Sequence, residues 1–245
     1  MADTIKQIDD KYKDKAIRFI DKTTHYELIF TDEFVTPSSG TFHSEKNYTL
    51  ITDIITDMRS ADKDKELHIF IGSYGGEVAC LNMIFQQILS FNYRVGINLG
   101  MADSCGWMLY FTCHERYTSS FSQFMYHEMS GLRYGKIKEL EKDIHFCKEW
   151  WNELFKYTFT KDVLTPDELK LGETSEVWLT GAELIKRGKA KDYSEYANRK
   201  IIVKMNTAYE IDGKVYIKED NKFIKYQKAP KSESLTYAEL IKKGN

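Results

Sequence analysis

The chain has 245 residues, enough for one large α/β domain or two small ones, and its 42% hydrophobic and 29% charged content is that of a globular protein in water. Lys and Arg number 35 against 37 Asp and Glu, a net charge of −2, so no basic excess argues for nucleic acid. No apolar run approaches the roughly 20 residues of a membrane span.

Residues 1–24 are expected to form a polar arm, with Ile5, Ile8, Ala16, Ile17 and Phe19 dotted through it as in a weakly amphipathic helix. Met1 to Lys15 lacks the apolar core of a signal peptide. Tyr26 to Phe30 is a predicted strand, and Thr36-Pro37-Ser38-Ser39-Gly40 a loop by composition. Asn47 to Arg59 carries Leu50, Ile51, Ile54, Ile55 and Met58 at helical spacing. Leu67 to Ile71 is the next strand. It runs into Gly72-Ser73-Tyr74-Gly75-Gly76, after which Val78 to Leu89 has the apolar face of a helix.

Tyr93 to Leu99 is a further strand, followed by Gly100-Met101-Ala102-Asp103-Ser104-Cys105-Gly106-Trp107 and an apolar helical segment to Cys113. Strand and helix alternate at short spacing, which predicts parallel strands joined by crossovers. Both glycine- or serine-bearing joints then lie at carboxyl ends of strands, where sites gather in open parallel sheets. A serine at a helix start is commonly an N-cap. It also sits among unpaired N–H groups at the positive end of a dipole, which suits a nucleophile whose attack generates an oxyanion.

Phe121 to Tyr126 is a predicted strand with His127 at its end. A lone histidine there is either a hydrogen-bonded structural residue or a base. One helix and one strand fit between Ser104 and His127, enough to return the chain beside the serine. Lys136 to Tyr157 is the longest predicted helix, with Ile137, Leu140, Ile144, Cys147, Trp151 and Leu154 in a heptad-spaced seam. Such a seam fits core packing or a protruding helix that meets another subunit. Thr165 with Glu168, and Thr180 with Glu183, are helix-start signals, and Gly188 a stop. Glu176 to Leu179 is a predicted strand. Beyond Lys200 lie short strands at Ile201–Met205, Ala208–Ile211, Val215–Ile217 and Phe223–Tyr226, with a hairpin signal at Asp212-Gly213. The phrase Leu179 to Gly188 returns nearly unchanged as Leu235 to Gly244, which predicts a second helix with the same cap, stripe and stop.

The cysteines, Cys80, Cys105, Cys113 and Cys147, lie in apolar segments without CxxC spacing. They are expected to be reduced, in a cytoplasmic protein. The histidines show no metal-ligand spacing, so no metal and no cofactor are expected.

Gly72-Ser73-Tyr74-Gly75-Gly76, Gly100 to Gly106, Phe124-Met125-Tyr126-His127-Glu128 and the later Glu176 to Thr180 with Ala182-Glu183 together resemble ClpP, the proteolytic subunit of the Clp protease. The resemblance covers roughly residues 26–195. It implies an α/β fold of the ClpP/crotonase type, stacked βαβ units with a protruding long helix, to which the residues after 198 add a β-hairpin or meander. By the same resemblance Ser104 is the nucleophile, His127 the general base and Glu176 the triad acid. The backbone N–H groups of Gly76 and Cys105 form the oxyanion hole. An unassisted serine hydroxyl is a poor nucleophile, so the imidazole must take its proton during attack.

The sequence departs from the family in Glu176 for the usual aspartate, Tyr74 for proline, Cys105 for methionine, and a loop from Cys113 to Gln123 that looks shortened. These mark a divergent member of the kind a phage encodes. The expected division is 1–24 arm, 25–198 serine peptidase domain, and 199–245 extension ending in a helix. The expected activity is that of a serine endopeptidase acting on unfolded polypeptide inside a homo-oligomeric ring, with an AAA+ unfoldase as the family's partner and no nucleic acid or membrane. The competing readings are a catalytically silent ring subunit, a viral head-maturation-type protease, and a crotonase-type acyl-CoA enzyme.

Overall fold

The computed structural model describes residues 17–31, 33–34, 44–131, 134–201, 208–211, 214–219, 222–225 and 235–236. The chain enters as β1 (Ile17–Asp21), which pairs antiparallel with β2 (His25–Phe30). This corrects the expected amphipathic helix for the end of the arm. Ile17 and Phe19 are buried with half-buried neighbours between them, the period of two that a strand requires. Residues 1–16 lie outside the described residues.

Then follow α1 (Ser44–Ser60), β3 (Glu66–Ser73), α2 (Val78–Leu89), β4 (Arg94–Asp103), α3 (Cys105–Phe111), β5 (Glu115–Thr118) and β6 (Gln123–Tyr126). The second half begins with α4 (Ile137–Phe155), α5 (Thr160–Val163) and α6 (Pro166–Gly172), and continues through β7 (Val177–Thr180), α7 (Gly181–Lys186), β8 (Lys191–Asp192) and α8 (Tyr193–Tyr196). Among the described residues these strands make one eight-stranded sheet, in the order β1-β2-β3-β4-β5-β8, with β6 paired to β4 and β7 to β6. The β2-β3-β4-β5 run is parallel, as alternating strands and helices demand. The architecture is mixed α/β, as the resemblance implies.

One strand organises the site. The first part of β4 pairs β5 through Val95, Gly96 and Ile97, and its last part pairs β6 through Met101, Ala102 and Asp103. Asn98 pins the handover: its Nδ2 donates to the Gln123 carbonyl at 3.2 Å while its Oδ1 accepts from the Gly100 N–H at 2.6 Å. β6 is thereby held beside the end of β4, where the helix α3 begins. Every residue of α3 is buried, and Trp107 is fastened by its indole N–H to Thr160 at 3.0 Å. The elbow thus stands on a packed base.

The core lies between one face of the sheet and α1, α2 and α3, and includes Leu28, Phe30, Ile54, Ile69, Ile84 and Leu109. A smaller apolar group, Val95, Ile97, Tyr117 and Tyr196, sits on the other face. The long helix α4 departs from the expected continuous seam. It buries Trp151, Leu154 and Phe155 near its end, whereas Ile137, Ile144 and Phe146 are exposed. The strand expected from Phe121 begins at Gln123, with Phe121 exposed in the preceding turn. The Cys113–Gln123 segment, expected as a short loop, holds β5.

Past the main sheet, β9 (Lys200–Ile201) pairs with β13 (Leu235–Thr236), and β10 (Ala208–Ile211), β11 (Lys214–Glu219) and β12 (Lys222–Lys225) form an antiparallel sheet. The Ile211↔Lys214 pairing brackets the Asp212-Gly213 hairpin signal. The repeated phrase starts alike in both copies: Leu179–Thr180 ends β7, and Leu235–Thr236 is β13. The expected terminal helix, and most of the Ile201–Met205 strand, lie outside the described residues.

Candidate active site

Ser104 joins β4 to α3 with φ 53° and ψ −111°, the only positive φ of a non-glycine among the described residues. Such a conformation costs about 1–3 kcal/mol and persists only where the surroundings enforce it. Here they do. The Ser104 N–H donates to the Met125 carbonyl at 2.8 Å, which ties the elbow to β6. No side-chain cap bond is made by Ser104, so the N-cap alternative is not what holds it. The sharp strand-to-helix turn lifts the hydroxyl clear of both elements, the geometry of a nucleophile elbow.

Gly75 and Gly76 face that elbow, at φ 105° and 134°. A Cβ on Gly75 would stand 2.6 Å from the Ser104 Cβ, and one on Gly76 would stand 2.2 Å from the Phe34 carbonyl oxygen. Glycine is thus required at both positions by close approach as well as by φ. Phe34 makes a parallel bridge to Gly76, through the Gly75 carbonyl (2.8 Å) and the Glu77 N–H (2.5 Å). The Gly76 N–H lies between those two bonds and is turned to the opposite side. The Cys105 N–H is one of the orphan donors in the first turn of α3. Cys105 itself points inward. Its thiol donates to the Gly76 carbonyl at 3.1 Å, and burial, with Cys80 nearby, pushes it up to about 12, an inert side chain that fastens the two loops together.

His127 follows β6 directly. Its Nδ1 is hydrogen-bonded to the Glu128 carbonyl, and because a carbonyl only accepts, Nδ1 carries the proton and Nε2 is left as the acceptor. That is the tautomer a general base needs. Ser104, His127, Gly76 and Cys105 all line one cavity of about 450 Å³, walled by Phe34, Met108, Trp150 and Trp151. Four of the five residues singled out from the sequence are therefore brought together.

Glu176 is placed differently. The β6–β7 register ends at Tyr126↔Val177, and carried one residue further it sets Glu176 opposite His127, on the same face of the pleat. The carboxylate is nevertheless hydrogen-bonded to the Trp178 indole N–H at 3.0 Å, while His127 is engaged with Glu128. The two are neighbours by register without being bonded.

Asp103, which the sequence reading passed over, lies buried one residue before the serine. Its Oδ2 accepts from Gln123 at 2.7 Å, and its Oδ1 is buried without a hydrogen-bond partner among the described residues. Burial raises its pKa, the Gln123 amide and Met125 backbone lower it, and the Glu176 carboxylate raises it again. The cavity walls Phe34, Trp150 and Trp151 were missed too; only the tertiary fold shows them.

With that geometry in view, the comparison with known families is decisive. The family profile described as Clp protease matches residues 23–192. The chain belongs to the Clp protease family. No curated protein sequence matches it. The matched span begins after β1 and ends with β8, so β1 and the elements after β8 lie outside the Clp protease match. Among the described residues no helix is long and apolar enough to cross a membrane.

Proposed function

We propose that this Clp-family chain is a serine endopeptidase that cleaves unfolded polypeptide by acyl transfer. The observation that carries the reading is the strained Ser104 elbow sharing one cavity with His127 and two N–H donors. Ser104 Oγ attacks the peptide carbonyl as His127 Nε2 takes its proton. The tetrahedral oxyanion forms between the Gly76 and Cys105 N–H groups, each donor of this kind worth about 3–4 kcal/mol of transition-state stabilisation. The imidazolium then protonates the leaving amine, giving an acyl-enzyme that water hydrolyses by the same steps in reverse order.

Glu176 is the acid in this scheme. To act, it exchanges the Trp178 indole for His127, whose Nδ1–H turns from the Glu128 carbonyl to the carboxylate. Assembly supplies a reason for the exchange. Family members typically form rings, and the exposed Ile137, Ile144 and Phe146 on α4 offer a surface for a second copy. An AAA+ unfoldase is the partner that such a ring would take, and the cytoplasm its setting. The chain divides in this scheme at residues 24 and 198.

Turnover of unstructured casein by the purified chain tests the reading. Activity lost in both Ser104→Ala and His127→Ala supports it, and equal activity in either variant contradicts it. A silent ring subunit is the second reading, favoured by the bonding of Glu176 and His127 to other partners. It predicts assembly without turnover.

A further inference from the structure

The cavity that holds Ser104 and His127 adjoins a second one of about 440 Å³; Met129, Ser130 and Trp151 line both. The first brings Glu33 and Glu77 to its walls, and the second Glu128 and Glu173. Among the described residues the only Lys or Arg lining either is Lys148. Glu128 and Glu173 converge: beyond the effect of burial, both carboxylates push the Tyr126 phenol upward. A groove of this charge works against the chemistry, because an oxyanion is to form on the carbonyl oxygen when Ser104 attacks the carbon, and nearby negative charge raises its energy. A cation delivered by the substrate removes that penalty, and the Trp150 and Trp151 rings give the stem and head of such a side chain a surface to lie on.

We propose that the groove through the two cavities selects polypeptides with Lys or Arg beside the scissile bond. The inference rests on the peptidase reading and names its substrate class. Cationic side chains flanking the bond are drawn in by the Glu128 and Glu173 carboxylates, which outnumber Lys148 in the second cavity, whereas acidic ones are repelled.

Quenched-fluorescence peptides test this, identical except that the residues immediately before and after the scissile bond are Lys or Arg, Leu, or Glu. The Lys and Arg peptides should show kcat/KM about tenfold or more above the Glu peptide, and several-fold above the Leu peptide. The gap should narrow in about 0.5 M NaCl, where exposed charges are screened, and in the Glu128→Gln/Glu173→Gln double variant. Equal rates, or a preference for Leu or Glu, would overturn the inference. A fluorophosphonate probe keeps the two ideas apart. Labelling of Ser104 together with equal rates sinks the charge preference alone. A chain that neither labels nor cleaves sinks the peptidase reading and the preference with it.

Discussion

The two ends of the parallel sheet solve opposite problems. Where the strands begin, charged groups are buried and bonded to one another. The His25 and His68 rings lie against each other, tilted by 30° with centroids 4.2 Å apart, and each holds its own carboxylate, Glu27 at 3.3 Å and Glu66 at 2.9 Å. Arg199 forks onto Glu66 at 2.6 and 3.0 Å and reaches Glu115 at 2.6 Å, which also takes Lys191 and the Tyr117 hydroxyl. Burial pushes the Glu115 carboxyl up, and those bonds overcome it and hold it at about 2. Where the strands end, Ser104 is held in a strained conformation, one carboxylate oxygen of Asp103 is buried without a hydrogen-bond partner among the described residues, and Gly76 and Cys105 line an open cavity. One end uses its polar groups to fix the segment after β8; the other leaves them lining a cavity.

His127→Ala gives the largest effect expected from this contrast, a loss of roughly 10³-fold or more in casein turnover with little change in melting temperature. A comparable fall in stability would mean that the imidazole belongs to the structural class of the opposite end. Gly76→Ala should cost about 100-fold in kcat, since the Cβ at 2.2 Å from Phe34 must displace the loop that carries the N–H donor.

Arg199→Ala should do the reverse. It leaves Glu66 and Glu115 without their shared cation and should cost about 3–5 kcal/mol in urea unfolding, with the catalytic loops untouched. The same end should be acid-sensitive. His68 is held neutral by burial, the Glu66 bond opposing and the charges of His25 and Arg199 adding, so that its pKa falls from 6.5 to about 4. The unfolded chain therefore binds more protons between those values. Stability present above pH 6.5 should be lost by about 3 kcal/mol as pH falls towards 4. His68→Gln should flatten that slope in equilibrium unfolding followed across the window. The smallest expected effect sharpens the site itself: Trp178→Phe removes the indole that holds Glu176 and should raise kcat by about twofold to tenfold, the equivalent of one hydrogen bond.

Much of the site was legible in the sequence because it depends on backbone constraints that particular residues advertise. Gly75-Gly76 after an apolar strand, and a serine between a strand and an apolar helix, mark close approach and orphan donors whatever the tertiary context. The bounds of α2 follow the same way from its apolar face. The strands β1 and β5 did not show, for opposite reasons. β1 lies in a charged region where Ile17, Phe19 and Ile20 look accidental, and β5 is four residues long with Glu115 and Arg116 spent on polar contacts. Lysines and acids are mixed along the chain, a pattern typical of solvated surface, yet Glu27, Glu66, His68 and Arg94 are buried. Near neighbours supply some of their bonds, His68 to Glu66 and Arg94 to Phe91, but the burial is completed from far away in sequence, by Tyr196 for His68 and by Arg199, 133 residues on, for Glu66. The α4 seam by spacing alone fits core packing or a protruding helix, and the structure divides it, burying Trp151 and Leu154 while leaving Ile137 and Ile144 exposed. The resemblance set Glu176 beside His127, but its bond to the Trp178 indole depends on a side-chain conformation that no motif carries.

Peptide mapping by mass spectrometry after treatment with a fluorophosphonate tests the central claim most directly. The account predicts one phosphonylated residue, Ser104, in the wild-type chain and none in His127→Ala. An adduct on another residue, or equal labelling of Ser104 with and without the imidazole, would contradict it.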